Sequence, residues 1–244
     1  MKRLALAAIA LVGTAAAARA QGVDLNSLIP AGDGSATARI VQMGAILTVL
    51  SLAPGLLIMV TSFTRFIVAL SFLRSGLGIQ STPANLVLIS LSLFMTFFVM
   101  APTFDRAWEK GLRPLMDNSI SQQQAYTEVT QPFREFMLGQ VREKDLALFE
   151  NLSKGSFQIK DRTSVDLRLL IPAFMISELR RGFEIGFLIV LPFLVIDMIV
   201  ATITMSMGMM MLPPSVISLP AKILFFVLID GWNLLIGSLV RSVS

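Results

Sequence analysis

Apolar and polar positions along this chain fall into long blocks, not short alternations, and the pattern predicts an all-α protein of long helical hairpins. Residues 40–64 carry no charge, and a second uncharged stretch runs from 75 to 104. Arg65 and Arg74 lie to one side of a turn at 76–83, so residues 40–104 read as a first apolar hairpin. Pro54-Gly55 falls inside its first arm and predicts a kink or restart there. Residues 105–168 are polar and mixed in charge and read as a helical insert. Within it, Gln131-Pro132 predicts a helix start, and Phe133, Phe136, Met137, Gln140 and Val141 share one apolar face. Residues 169–244 turn apolar again and read as a second hairpin. Pro172 is expected to open a helix carrying Ser177, Glu178, Arg180, Arg181 and Glu184, and Pro220 a last helix through Lys222, Asp230 and Trp232. Between the two lies the run MSMGMMM at 205–211, followed by Leu212 and the pair Pro213-Pro214. Adjacent prolines lack backbone donors and clash with the preceding turn, so the methionine cluster is expected to sit in a loop where a helix ends.

Composition sharpens this into a membrane protein. Of 244 residues, 55% are hydrophobic and 15% charged, against about a quarter charged in a soluble domain. Most of the charges lie between positions 105 and 184, the pattern of a polytopic membrane protein with one polar domain. Residues 1–20 resemble a cleaved signal peptide: Lys2 and Arg3, an apolar core from 4 to 12, and Ala18-Arg19-Ala20 as the cleavage site. Cleavage places residues 21–39, a flexible lead-in, outside the cytoplasm and the polar insert on the periplasmic side. It also removes Lys2, Arg3 and Arg19, taking the formal charge from +4 to +1, so the basic balance gives no reason to expect nucleic-acid binding. Arg65 and Arg74 are expected at a cytoplasmic hairpin tip. The chain has no cysteine and no histidine, which excludes disulfides, Cys nucleophiles, His bases and zinc sites built on either residue. No cofactor is expected, and most enzyme classes fall away.

Four charges stand inside apolar segments: Glu178, Asp197, Lys222 and Asp230. An ionised group in hydrocarbon is costly and usually faces protein or water. Three roles stay open for them: a buried polar network that fixes how subunits dock, a proton relay in a carrier, or snorkelling at a helix end. Lys222 is the one base among the four, and Glu178 is the favoured partner for it. Asp197 and Asp230 are possible buried polar groups. Gly182 and Gly186, four apart, put two small residues on one helix face and allow close helix approach. The methionine cluster has three readings of its own. Thioethers bind Cu(I), though such sites usually add Cys or His; methionines also fill ordinary cores; and a soft, unbranched row makes a mobile apolar constriction, a flexible seal in a conduit.

Several long motifs carry a resemblance to a known family. They are PAFMISELRRGFEIGF at 172–187, Pro220-Ala221-Lys222 leading into LIDGW at 228–232, TSFTRFIVALSFLR at 61–74, LGIQSTPAN at 77–85, and MGMMMLPP at 207–214. The chain from about position 40 resembles the FliP/SctR family of type III export-gate proteins, and the signal and polar insert favour its flagellar branch. The resemblance implies a pentameric, helically arranged, cone-shaped gate built with FliR and FliQ and joined by FlhB and FlhA, with FliO assisting assembly. It implies a location in the bacterial inner membrane at the flagellar basal body, with much of the complex on the periplasmic side. It also implies that Met209, Met210 and Met211 form a channel gasket around unfolded flagellar export substrates, and that Glu178 and Lys222 make inter-subunit contacts. Some apolar helices would then bury against neighbouring subunits instead of membrane lipid. The rival reading from the residues alone is a proton-coupled small-solute carrier using Glu178, Asp197 and Lys222.

Overall fold

A computed structural model describes residues 36–79, 83–153, 165–208 and 213–243. The signal segment, nearly all of the lead-in, and Met209, Met210 and Met211 lie outside the described residues. The chain divides into two compact units at Ser51 and Leu52. Helix α1, Ala36–Met59, begins in the first unit, and the account that follows concerns the second.

All described elements are helical. Helix α1 runs through Pro54-Gly55 without interruption and stops at Met59. After a turn at 60–62 the chain enters α2, Phe63–Leu77, and then α3, Asn85–Ala107, so the stretch 40–104 holds three helices and not the two arms of a simple hairpin. Gly78 closes α2 in the left-handed conformation (φ 79°), which glycine adopts at no steric cost. A π-helical turn, Trp108–Leu112, and a short α4, Arg113–Met116, continue α3. Gly111 sits in that turn against Val129 of the helix that follows α4, where a side chain would have no room.

Helix α5, Gln122–Gln140, starts well before Gln131-Pro132 because Ser121 and Gln124 form a reciprocal capping box at its N-terminus. Pro132 lies in its interior. Helix α6, Glu143–Leu152, follows after two residues. The longest element is α7, Leu167–Ser206, whose N-cap Asp166 accepts a hydrogen bond from the Arg168 N–H at 2.8 Å. Pro172 and Pro192 are both internal to it, so the expected start at Pro172 falls five residues late. Forty residues span about 60 Å, twice the thickness of a bilayer core. Helix α7 ends inside the methionine cluster, with Gly208 at φ 73° just beyond it. Pro213 and Pro214 then open α8, Pro214–Leu228, where a missing N–H costs nothing.

The last predicted helix is broken. Asp230 takes a left-handed conformation (φ 51°), and α9, Gly231–Arg241, leaves α8 at an angle of 66°. Asp is among the few non-glycine residues that visit this region routinely. Its side chain is exposed at the bend, which corrects the expectation that Asp230 is a buried polar group.

Two cores hold the second unit together. Phe66, Leu70 and Leu73 of α2 pack with Leu88 and Met95 of α3, Phe193 of α7, Phe226 of α8 and Leu239 of α9. Met137, Leu146, Leu170 and Phe174 join α5 and α6 to the N-terminal half of α7. Outside these cores the surface is unusually apolar: Phe94, Phe98, Phe187, Leu188, Met198, Val227 and Leu228 are all more than half exposed. Among the described residues, two helical runs, 85–116 and 167–206, are long and apolar enough to cross a membrane, and the bent pair α8–α9 makes a third if it counts as one span.

Candidate functional site

Helices α2 and α7 lie side by side and run in the same direction. Arg65 meets Glu178, Val68 meets Gly182, Phe72 meets Gly186, and Gly76 meets Val190, so both sequence numbers rise together along the contact. Glycines make the approach possible. A Cβ on Gly182 would stand 3.0 Å from Val68 Cβ and 3.2 Å from the Arg65 carbonyl oxygen, and one on Gly186 would stand 2.6 Å from Phe72 Cγ. Gly76 does the same from the other side, where a Cβ would meet Val190 and Phe193 at 3.0 Å. Where helices meet in lipid, with no hydrophobic force between them, such close packing of backbones contributes to their cohesion.

A charge pair pins each end of this helix pair, fully buried at the first end and partly exposed at the second. At the first end the Arg65 guanidinium, fully buried, forks onto the Glu178 carboxylate, with Nε donating to Oε2 at 2.9 Å and Nη2 to Oε1. Nη2 also donates to Gln140 Oε1 at 2.9 Å, and Nη1 to the carbonyl and hydroxyl of Ser242. Gln140 in turn accepts from Arg181 at 2.6 Å and donates to the Val243 carbonyl at 2.9 Å. One arginine thus ties together α2, α5, α7 and the segment after α9. Five donors in a rigid fork suit this task, and lysine has no equivalent geometry.

At the other end Lys222 of α8 donates to Asp197 Oδ2 at 2.6 Å and to the Gly76 carbonyl at 3.0 Å. That carbonyl belongs to the last turn of α2, where acceptors have no intrahelical partner and the helix dipole favours a cation. Ser218 completes the group by donating to Asp197 Oδ1 at 2.5 Å. Lys222 is buried, while the Asp197 side chain keeps 36% of its surface exposed.

A third polar group locks the insert onto α7 beside Glu178. Asp145 accepts from Arg142 Nε and Nη2, both at 2.8 Å, and from the Ser177 hydroxyl at 2.5 Å. The Ser177 oxygen accepts from the Arg142 backbone N–H at 3.1 Å. Burial raises the Asp145 carboxyl, but the hydrogen bonds from Ser177 and Arg142 and the arginine charges outweigh it and hold the group below its ordinary value.

The structure therefore redistributes the charges singled out from sequence. Within the chain Glu178 pairs with Arg65 and not with Lys222, and Asp197 has a cation after all. Glu178 and Asp197 stand 19 residues apart on one helix, about 28 Å at the rise of an α-helix, so the two carboxylates share no network. Arg65 is fully buried instead of standing at a hairpin tip, whereas Arg74 is partly exposed and donates to Asn85. Sequence reasoning passed over Arg65, Gln140 and Asp145. The one available signal was an arginine between two phenylalanines in an apolar run, a placement that calls for a buried partner.

A family model described as the FliP family matches residues 46–239, which include both pinned ends of the helix pair. The chain belongs to the FliP family. It is similar to the flagellar biosynthetic protein FliP of Rhizobium meliloti (strain 1021), at 59% identity over 244 residues and 99% of each chain. The FliP of Caulobacter vibrioides is 53% identical over 97% of this chain and 88% of its own length. That of Bacillus subtilis (strain 168) is 54% identical over 83% and 91%. The FliP-family match contains Arg65, Glu178, Asp197 and Lys222, as well as the three methionines outside the described residues.

Proposed function

We propose that this chain is a non-enzymatic subunit of the flagellar type III export gate, the channel through which unfolded flagellar proteins cross the bacterial inner membrane. The observation that carries the reading is FliP-family membership across 46–239 in a chain whose 40-residue helix is only 11% buried along its most apolar window. A surface of that size and apolarity, continued over α8, suits a subunit embedded among neighbours and lipid better than a free-standing protein. In this reading several copies, five in a helically arranged cone, assemble with FliR and FliQ, and FlhB, FlhA and FliO act around them. Met209, Met210 and Met211 form the gasket, since thioether side chains change rotamer at little cost and close around many sequences. The pinned α2–α7 pair supplies the rigid body that holds this seal. The partly exposed Asp197 faces the next subunit; a docking role for the buried Lys222 and Glu178 requires that neighbour to compete with their partners within the chain, Asp197 for Lys222 and Arg65 for Glu178. Replacing Met209, Met210 and Met211 together by alanine is expected to raise membrane ion permeability in export-active cells. Unchanged permeability with normal export would remove the gasket from the account.

A small-solute carrier needs Glu178, Asp197 and Lys222 on one proton path. Their division between two networks at opposite ends of a helix pair gives that reading no support.

A further inference from the structure

The bend between α8 and α9 leaves an apolar groove of about 370 Å³ against α7, floored by Phe193 and Phe226 and walled by Ile189 and Leu234. At its rim stands Arg241, in the last turn of α9. Its guanidinium folds back along the helix over Gly237, where a Cβ would lie 3.2 Å from Nη2, so the absence of a side chain there gives the cation its place. Arg241 is exposed, and among the described residues no carboxylate pairs with it. An apolar trough ending in a guanidinium that no described carboxylate pairs, on a chain with helices long and apolar enough to cross a membrane, presents two halves of one ligand's chemistry. Hydrocarbon fills the trough, and an oxyanion, best a phosphate, takes the planar donor fork.

We propose that this groove binds an anionic phospholipid, with an acyl chain lying between α7 and α9 and the headgroup phosphate on Arg241. The proposal rests on the apolar helices and the Arg241 cation and is independent of the gate reading. A zwitterionic lipid supplies the same hydrocarbon with no net charge, so the expected signature is selectivity for the anionic headgroup. One basic side chain near an anionic headgroup is worth about 1 kcal/mol, a preference of about fivefold.

The test uses the full chain, co-expressed with its presumed membrane partners and reconstituted into phosphatidylcholine vesicles. The vesicles carry a trace of phosphatidylglycerol or phosphatidylcholine with a photoreactive group on the acyl chain. Labelling of the α8–α9 peptides by the phosphatidylglycerol probe should exceed that by the phosphatidylcholine probe about fivefold. Arg241→Gln should bring the two to near parity, Arg241→Lys should keep most of the preference, and Leu234→Trp should lower both by filling the trough. Arg241 and Leu234 are both exposed, so these changes leave the cores intact, and an unshifted melting curve checks it. Equal labelling by the two probes, or an unchanged ratio in Arg241→Gln, would overturn the proposal. Labelling seen in the isolated chain but lost in the complex would also overturn it, by assigning the groove to a partner helix.

Discussion

Removing Glu178 should unbalance the whole first end of the α2–α7 pair. The Arg65 guanidinium is fully buried and gives two of its hydrogen bonds to that carboxylate. In Glu178→Ala the guanidinium keeps only neutral acceptors on Gln140 and Ser242, and a buried charge without a counter-ion typically costs about 3–5 kcal/mol. For a chain of this size, 1 kcal/mol moves the melting midpoint by about 2–4 °C, so the variant should melt roughly 6–20 °C lower. Arg65→Ala should lose a comparable amount, because it strands the carboxylate instead. The double variant Arg65→Met, Glu178→Leu replaces the pair with hydrocarbon of similar reach, and buried pairs exchanged in this way are often neutral. It should therefore recover most of the loss. The assay is thermal unfolding in detergent followed by the fluorescence of Trp108 and Trp232, which report from the insert and from α9. Additive losses in the double variant would refute the intrachain pairing. So would a Glu178→Ala chain that melts normally but fails to assemble, since that result places the Glu178 counter-charge on a neighbouring subunit.

Further consequences concern packing and pH. Gly186→Val should weaken the unit by about 1–3 kcal/mol, the usual cost of overpacking, because its Cβ meets the Phe72 ring. A melting midpoint equal to the parent's would show that α2 and α7 separate freely. Asp145 is held below its ordinary value, so its contribution to stability is complete above the unfolded carboxylate pKa of about 3.9 and fades as pH falls through the lower folded value. Asp145→Asn should melt below the parent at neutral pH, and the gap should shrink in acid. A gap constant with pH would deny the carboxylate that role.

Much of this architecture was legible in the order of apolar and polar residues, and the failures have identifiable causes. The charge-free run 75–104 marked a helix long and apolar enough to cross a membrane, because helices in lipid satisfy their own backbone. Helix ends were misread wherever proline was given too much weight. Pro132, Pro172 and Pro220 all lie inside helices, where packing against neighbours outweighs the lost hydrogen bond, and the true starts are marked by capping residues such as Ser121 and Asp166. The break at Asp230 carries no proline and depends on one residue in a left-handed conformation, which composition does not reveal. The charges were noticed but their partners were not. Pairing Arg65 with Glu178 joins positions 113 residues apart through the parallel packing of α2 on α7, and spacing within a sequence carries no information about that. Gly182 and Gly186 pointed to a close helix approach without saying which helix approaches.

The most direct test of the gate account is the mass of the complex recovered in detergent after co-expression of this chain with FliR and FliQ. The account predicts one species containing several copies of this chain, five if the gate is a pentamer. A monomer or a simple dimer under conditions where the partners are present and folded would contradict it.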